Sequence, residues 1–448
     1  MTVIYLEKRF LKIIMGSQIS FTAVGDIFMN RMLPEAGYEG LSELSELISS
    51  SEVRFANLET TIHDREGYPF PFSGGTWAMA HPSVLDDLKK YNFNLYNAAN
   101  KHSMDYSHNG LLATIRHMKE RNVRFAGVGR NLADAAAPVY LECREARVAL
   151  IAATSSFHET WAAGQQRGDM IGRPGVNPLR HEEKYHVTKS QLTSLREIAR
   201  ETLIDAQQEL DIREGFAVET PGSFKFAGRS FVESEDTYKE TQPDKRDMQR
   251  IIASIEEAKS QADYVLVSIH SHELGGLRKD FPADFLRTFA RECIDAGATA
   301  VLGHGPHVLR GIECYNGGVI FYSLGNFIFE NDTTTHQPAD FYEKYGLAHD
   351  AQVGAGMDKR SQGGKVGLGV NKDVWNSVVA RWNAEDGKIK ELCLYPITLD
   401  QSLPRYRRGL PRLTKDTDVL ISLQKLCEEM GTDMKIRDGI GHIDVKEK

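Results

Sequence analysis

The chain has 448 residues, 41% hydrophobic and 26% charged, the balance of a soluble globular protein long enough for one large α/β domain or for two or three smaller ones. Its 54 basic and 62 acidic residues leave a net charge of −8, so there is no basic footprint for nucleic acid, and an anionic ligand needs a local cationic cluster or metal ions to hold it. The five cysteines are scattered and odd in number, without a C-x-x-C pair, which argues against a disulfide framework and a cysteine zinc site, and no apolar run approaches the ~18 residues that span a bilayer.

Residues 1–15 carry Lys8, Arg9 and Lys12, but their apolar patches are too short and interrupted for a secretory core. Residues 1–18 read as an extension, with Met15 a sensible alternative start, and the expected compartment is cytoplasmic. Residues 19–24 (ISFTAV) form the first predicted strand. It delivers Gly25-Asp26 at its carboxyl end, where open α/β sheets place their chemistry. Residues 41–48 have helical apolar spacing, and 53–56 form a second strand followed by Asn57-Leu58-Glu59. Residues 64–75, rich in Gly, Pro and aromatics, read as loop. A helix over 82–91 leads to a strand over 94–99, which ends in Asn100-Lys101-His102-Ser103-Met104-Asp105. Leu111, Leu112, Ile115 and Met118 mark a helix face, and strands follow at 123–126 and 148–152. This repeated order, with polar residues gathered where strands end, implies an α/β layered domain.

Residues 155–262 break the rhythm as a helical and irregular insertion. It holds a turn-rich run from Gly172, an amphipathic helix marked by Leu192, Leu195, Ile198, Ala199 and Leu203, and a polar excursion over 213–243. A further helix is marked by Met248, Ile251, Ile252 and Ile255. The alternation returns with a strand over 264–269, which delivers His270-Ser271-His272-Glu273. A helix over 284–296, closed by Gly297, leads to a strand over 299–302 and the loop Gly303-His304-Gly305-Pro306-His307. Its glycines allow a sharp turn and Pro306 stiffens it, so the two imidazoles could face one metal ion or two neighbouring ones. A strand over 319–324 ends in Gly325-Asn326. Residues 331–372 read as a mobile flap or loop. Residues 374–381 and 388–397 read as strands joined at Glu385-Asp386-Gly387. The domain is expected to span 19–400, and residues 401–448 to form a mixed-charge tail with one helix near 416–430.

Collected by position, the strand-end residues are Asp26, Glu59, Asn100-Lys101-His102, His270, His304 and His307. Carboxylates with imidazoles suit a borderline or hard divalent ion, and a two-metal centre needs several of each. The motifs are G-D at Gly25, N-L-E at Asn57, A-N-K-H-S-M-D at Ala99, G-R-P-G-V-N at Gly172, I-H-S-H-E at Ile269, G-H-G-P-H-V at Gly303 and Y-S-L-G-N-F at Tyr322. In this order, over residues 19–330, the sequence resembles the CapA-type poly-γ-glutamate capsule proteins, a branch related to the calcineurin-like metallophosphoesterases.

The resemblance implies a four-layer α/β/β/α sandwich of the metallophosphoesterase type, with one or two divalent ions (Mn, Zn or Fe) at the strand ends. Asp26, Glu59, His270, His304 and His307 would be the metal ligands, Glu59 in the bridging role, and His102 would protonate the leaving group or steady the charged transition state. Asn57, Asn100, Lys101, Asp105, His272, Glu273 and Asn326 would bind substrate or support the ligands. Two positions depart from the pattern. Phe28 stands where phosphoesterases carry the His of D-x-H, as in the capsule branch generally, and Lys101 replaces an Asn expected to bind one metal. Either Asn100 or a displaced Lys101 adjusts, or the site holds one metal, or none.

The leading expectation is a metal-dependent hydrolase acting on a phosphate ester or an anionic polymer, with a metal-bound hydroxide as nucleophile, His102 as acid and Lys101 as anion clamp. The same nucleophile could attack a γ-glutamyl amide. The non-enzymatic rival is a binding or assembly protein for an anionic polymer whose metal chemistry has decayed. Lys101 and Phe28 favour that rival; the intact Glu59, His270, His304 and His307 oppose it. The expected partner is an anionic small molecule or polymer, with neither nucleic acid nor a membrane segment involved.

Overall fold

The first strand, Gln18–Phe28, sends Ile19, Phe21 and Ala23 to one side and Val24 and Ile27 to the other, so both its faces must be covered. In the computed structural model, which describes residues 18–218 and 222–445, it lies inside a ten-stranded sheet. The order runs Met434–Arg437, Ile440–Asp444, Lys388–Thr398, Asn376–Glu385, Gln18–Phe28, Val53–Leu58, Leu95–Asn97 and Phe125–Ala126. Asn376–Glu385 pairs antiparallel with the first half of Gln18–Phe28, and Asn326–Phe329 pairs parallel with its carboxyl end. A six-stranded sheet has the order Ile312–Tyr315, Gly318–Phe321, Ala300–His304, Tyr264–His270, Arg147–Thr154 and Val139–Glu142, its four inner strands parallel.

One core is built from both sheets. Phe21, Phe55, Leu95 and Trp382 of the larger sheet meet Leu150, Leu266, Leu302 and Phe321 of the smaller. The other face of the larger sheet, with Val24, Ala56 and Val379, packs against Leu44, Leu88, Leu111 and Met118 from helices Leu41–Ser49, Val84–Leu88 and Ser107–Glu120. The other face of the smaller sheet, with Ile151, Val267 and Val301, lies under helices Lys245–Gln261 and Asp284–Asp295 through Ile251, Ile255, Phe285 and Phe289. The fold is mixed α/β. No helix among the described residues is long and apolar enough to cross a membrane, and residues 1–17 of the expected extension lie outside the described residues.

Three stretches differ from the sequence reading. The excursion at 213–243 contributes Phe224–Phe226, Arg229–Glu233 and Tyr238–Pro243, which join His181–Val187 in a four-stranded sheet. These strands are only partly buried and alternate aromatic with charged residues, which hides them in a polar average. The stretch 331–372 carries helices Ala339–Lys344 and Val353–Arg360, whose Phe341, Tyr342 and Met357 bury against Trp77 and Tyr106. Gln337 clasps the backbone of Trp77, accepting from its N–H at 3.2 Å and donating to its carbonyl at 3.0 Å. Beyond the expected tail helix, observed at Asp418–Glu429, Met434–Arg437 and Ile440–Asp444 form a hairpin that extends the larger sheet. Its turn, Asp438-Gly439, has both residues at positive φ, as a two-residue hairpin turn requires.

Between Ala23 and Asp26 the first strand shifts register, and there the chain passes closest to its neighbour. A Cβ on Gly25 would stand 1.9 Å from the Gly325 carbonyl oxygen, which accepts the Asp26 N–H at 2.8 Å. Gly25→Ala is therefore expected to push the Asn326–Phe329 strand away, at the ~1–3 kcal/mol or more typical of overpacking. Chemical denaturation measures it; a midpoint equal to that of the parent would show that this close approach is absent in solution.

Candidate functional site

The two sheets bring their carboxyl strand ends together. In the larger sheet Asp26, Asn57 and Asn97 lie side by side in register, with Asn326 on the other flank of Asp26. In the smaller sheet His270 stands beside His304. An amide ladder fixes the acid: Asn97 Nδ2 donates to Asn57 Oδ1 at 2.9 Å, and Asn57 Nδ2 donates to Asp26 Oδ1 at 2.7 Å. The other oxygen of Asp26 accepts the Gly305 N–H at 3.2 Å, tying the G-H-G-P-H loop across to the first strand.

Glu59 follows directly on strand Val53–Leu58 and sits at the centre of the cluster, fully buried. His270 Nε2 is 3.6 Å, His307 Nδ1 3.8 Å, Lys101 Nζ 3.9 Å and His102 Nε2 4.0 Å from the nearer of its oxygens. Neither oxygen has a hydrogen-bond partner among the described residues. His307, held at φ 60° in the left-handed region, faces Asn326 Oδ1 with Nδ1 at 2.9 Å and Lys101 Nζ with Nε2 at 2.9 Å. The carbonyl oxygen of Asn326 can only accept, so Nδ1 carries the proton and Nε2 accepts from the ammonium.

His102 forms a separate dyad. Its Nδ1 lies 2.6 Å from Asp105 Oδ2, and Asp105 is fixed by the N–H groups of Ala78 at 2.8 Å and Gly74 at 3.1 Å. Phe28 meets the His102 ring edge-on, with centroids 4.9 Å apart, so the residue that breaks the D-x-H pattern steadies the imidazole. Gly74 lies close against the same ring, where a Cβ would come within 2.6 Å of it. With Nδ1 engaged, His102 presents Nε2 to Glu59.

Burial dominates the electrostatics. It pushes the Asp26 carboxyl up to about 6 and Glu59 well above the usual carboxylate range, where the neighbouring Asp26 charge adds to the effect. It drives His270, His272 and His307 well below the ordinary imidazole value, and His304 down to about 3. Lys101 is pushed down by burial against the pull of Glu59 and Asp26. Acids that resist ionising beside imidazoles that resist protonation form a donor set short of positive charge. His270 Nε2, His272 Nε2 and both nitrogens of His304 also lack partners among the described residues. Glu59, His272 and His307 offer ligand atoms within 4.8 Å of one another and could hold a metal ion. The donor types therefore fit a divalent cation.

Not every expected residue converges. His304 stacks its ring on Phe55, with centroids 5.4 Å apart, at the edge of the inter-sheet core. Glu273 accepts from the hydroxyls of Ser155, Ser156 and Ser271 and serves to hold the loop. Asn100 commits its amide to the Leu58 carbonyl and to the His102 N–H, shaping the turn. His272, expected only as a neighbour, lies among the potential ligands. Residues outside the sequence reading also matter. Asn97 begins the amide ladder, and the half-buried Lys279 brings a second ammonium whose charge reaches Asp26 and Glu59. Arg310, fully buried, donates to the carbonyls of Glu273 at 2.9 Å, Lys279 at 3.1 Å and Ser271 at 3.4 Å.

The structure thus sets a carboxylate–imidazole cluster at the joined strand ends of a two-sheet α/β fold. Residues 20–331 match the bacterial capsule synthesis protein PGA_cap family, and the chain belongs to that family. It is 36% identical over 437 residues to the uncharacterized protein y4sH of Sinorhizobium fredii (strain NBRC 101917 / NGR234), covering 95% of this chain and 92% of that one. The PGA biosynthesis protein CapA of Bacillus subtilis (strain 168) is 26% identical over 322 residues, 70% of this chain and 64% of that protein. The capsule biosynthesis protein CapA of Bacillus anthracis is 25% identical over 326 residues, covering 71% and 62%.

Arg310→Met keeps much of the side-chain volume and removes the donors that gather residues 271–279. Leaving those carbonyls unpartnered costs about 1–3 kcal/mol for each one that stays buried. The variant is expected to melt at a lower temperature, with amide hydrogen exchange accelerated most over 271–279. Equal exchange in parent and variant would show that Arg310 does not hold this loop.

Proposed function

We propose that the chain is a metal-dependent hydrolase of the capsule-synthesis family, acting on an anionic substrate such as a phosphate ester or a capsule-type polyanion. On this reading the two facing sheets and their flanking helices correspond to the four-layer α/β/β/α sandwich of metallophosphoesterases. The observation that carries the proposal is the His102–Asp105 dyad, whose free Nε2 faces Glu59. A His oriented by a buried carboxylate and aimed at a reacting centre is the arrangement a general acid requires.

Glu59, His272 and His307, with Asp26 and His270 beside them, are the side chains that would hold the metal. When bound, a manganese-, zinc- or iron-class ion would supply Lewis-acid polarisation and an acidified water. The chain's own residues do the rest. Burial pulls His102 below the ordinary imidazole value; Asp105 orients the ring and offsets part of that pull, so that Nε2 can pass a proton to the leaving group. Asn57 and Asn97 lock the rotamer of Asp26. Lys101 and Lys279 offset the charge of an anionic substrate.

One observation favours the second reading, a polyanion-binding protein without catalysis: the Lys101 ammonium already neutralises the space between His307 and Glu59. The two readings separate on metal content. Lys101→Asn removes a cation from the cluster and should raise the metal bound per chain, or its affinity, in elemental analysis of protein purified without a metal-binding tag. Identical loading in parent and variant would mean that the ammonium does not compete with metal.

Catalysis is read through His102→Ala. Metal content should stay near that of the parent and the melting temperature should fall, because Asp105 loses its buried partner, while hydrolysis of phosphate esters with poor leaving groups falls by about 10²–10⁴-fold. The loss should shrink for activated esters, whose leaving groups need little protonation. If the metal-loaded parent hydrolyses no ester of the series, the phosphoesterase form of the proposal is lost. If His102→Ala is as active as the parent, His102 is not the acid.

A further inference from the structure

On the far edge of the larger sheet, well away in the sequence from the strand-end cluster, three donors of different chemistry share one face. Leu392 and Leu394 of strand Lys388–Thr398 point into the inter-sheet core, which leaves Glu391 and Cys393 on the opposite face. In register, Cys393 pairs with His442 and Glu391 with Asp444 of strand Ile440–Asp444. Cys393 Sγ lies 3.7 Å from His442 Nδ1, and the same nitrogen lies 3.2 Å from Glu391 Oε1. All three ligand atoms fall within 4.8 Å of one another, and His442 is only partly exposed.

We propose that Glu391, Cys393 and His442 form a second metal site, taking a thiophilic divalent ion of the zinc class. A thiolate, an imidazole and a carboxylate together select such an ion over magnesium or calcium. With Zn–S near 2.3 Å and Zn–N near 2.0–2.1 Å, a tetrahedral centre has ligand–ligand edges of roughly 3.3–3.6 Å, and the two observed separations lie close to these. Burial and the neighbouring Glu391 hold the thiol protonated in the free protein, so binding displaces a proton. The fourth position falls to solvent or to Asp444, the register partner of Glu391. An ion here links strand Lys388–Thr398 to the outermost hairpin and staples the C-terminal edge of the sheet. Sequence spacing conceals the site because its imidazole comes from a second strand, 49 residues beyond Cys393, with no C-x-x-C or H-x-x-H run to announce it.

Cobalt(II) titration of the full chain tests the proposal without reference to the strand-end cluster. That cluster contains no cysteine, so a near-ultraviolet sulfur-to-cobalt charge-transfer band reports on a thiolate site alone. The parent should develop the band at one equivalent of bound thiolate. Cys393→Ser should abolish it, and His442→Ala should weaken binding by at least about tenfold, the factor seen at minimum when even supporting groups of a metal site are removed. Zinc should slow amide hydrogen exchange over 434–444 in the parent and leave His442→Ala unchanged. That exchange comparison stands even if the cysteine variant folds poorly. Absence of the band in the parent, its persistence in Cys393→Ser, or equal zinc protection in His442→Ala would each overturn the site.

Discussion

The closest constraint in this fold is the contact between two glycines. The backbone of the central strand at Gly25 lies directly against the Gly325 carbonyl, with no room for a side chain between them. That approach lets strand Gln18–Phe28 change partners midway, from Asn376–Glu385 to Asn326–Phe329. Because the strand is bulged at the same place, Asp26 turns towards the neighbouring sheet at the point where His270 and His304 emerge. Everything chemical is downstream of this arrangement: the amide ladder, the tethered G-H-G-P-H loop and the position of Glu59.

The cluster so formed is paid for in desolvation. Buried acids rise towards neutrality and buried imidazoles fall towards it, and each does so because water has been removed more thoroughly than partners have been supplied. Lys101 is the one cation among the described residues of this set with a short contact, and it is made to His307 Nε2. Phe28 has a different role. Its ring, two residues beyond Asp26, serves as packing for the His102 dyad.

Much of this was legible in the sequence because buried parallel strands are continuous apolar runs. The runs ending in Asp26, His270 and His304 were recognisable both as strands and as carriers of polar ends. The His102–Asp105 relation was visible only as closeness in the chain; that the two bond depends on a tight turn made by Asn100 and Ser103. His272 was harder, since beyond the end of a strand the alternation rule no longer says where a side chain points. Asn97 hid in a strand of three residues, and Arg310 followed an apolar run like an ordinary surface cation. The C-terminal hairpin did carry a signal, Asp438-Gly439 between alternating segments, which a net-charge view of the tail obscures. The helices at 339–344 and 353–360 are too short and glycine-flanked to show a period, and their order comes from packing on Trp77 and Tyr106.

The strand order also sets a timetable for the protein's birth. Ala23 pairs with Phe55 on one side and with Ala380 on the other, so one flank of the central strand is made 325 residues after the other. At ~5–20 residues per second, a ribosome takes on the order of tens of seconds to supply it. Through that interval Gln18–Phe28 is an apolar strand with an unpaired edge, the form of chain most exposed to mispairing with another nascent copy. Its early partner, Val53–Leu58, can protect only one side.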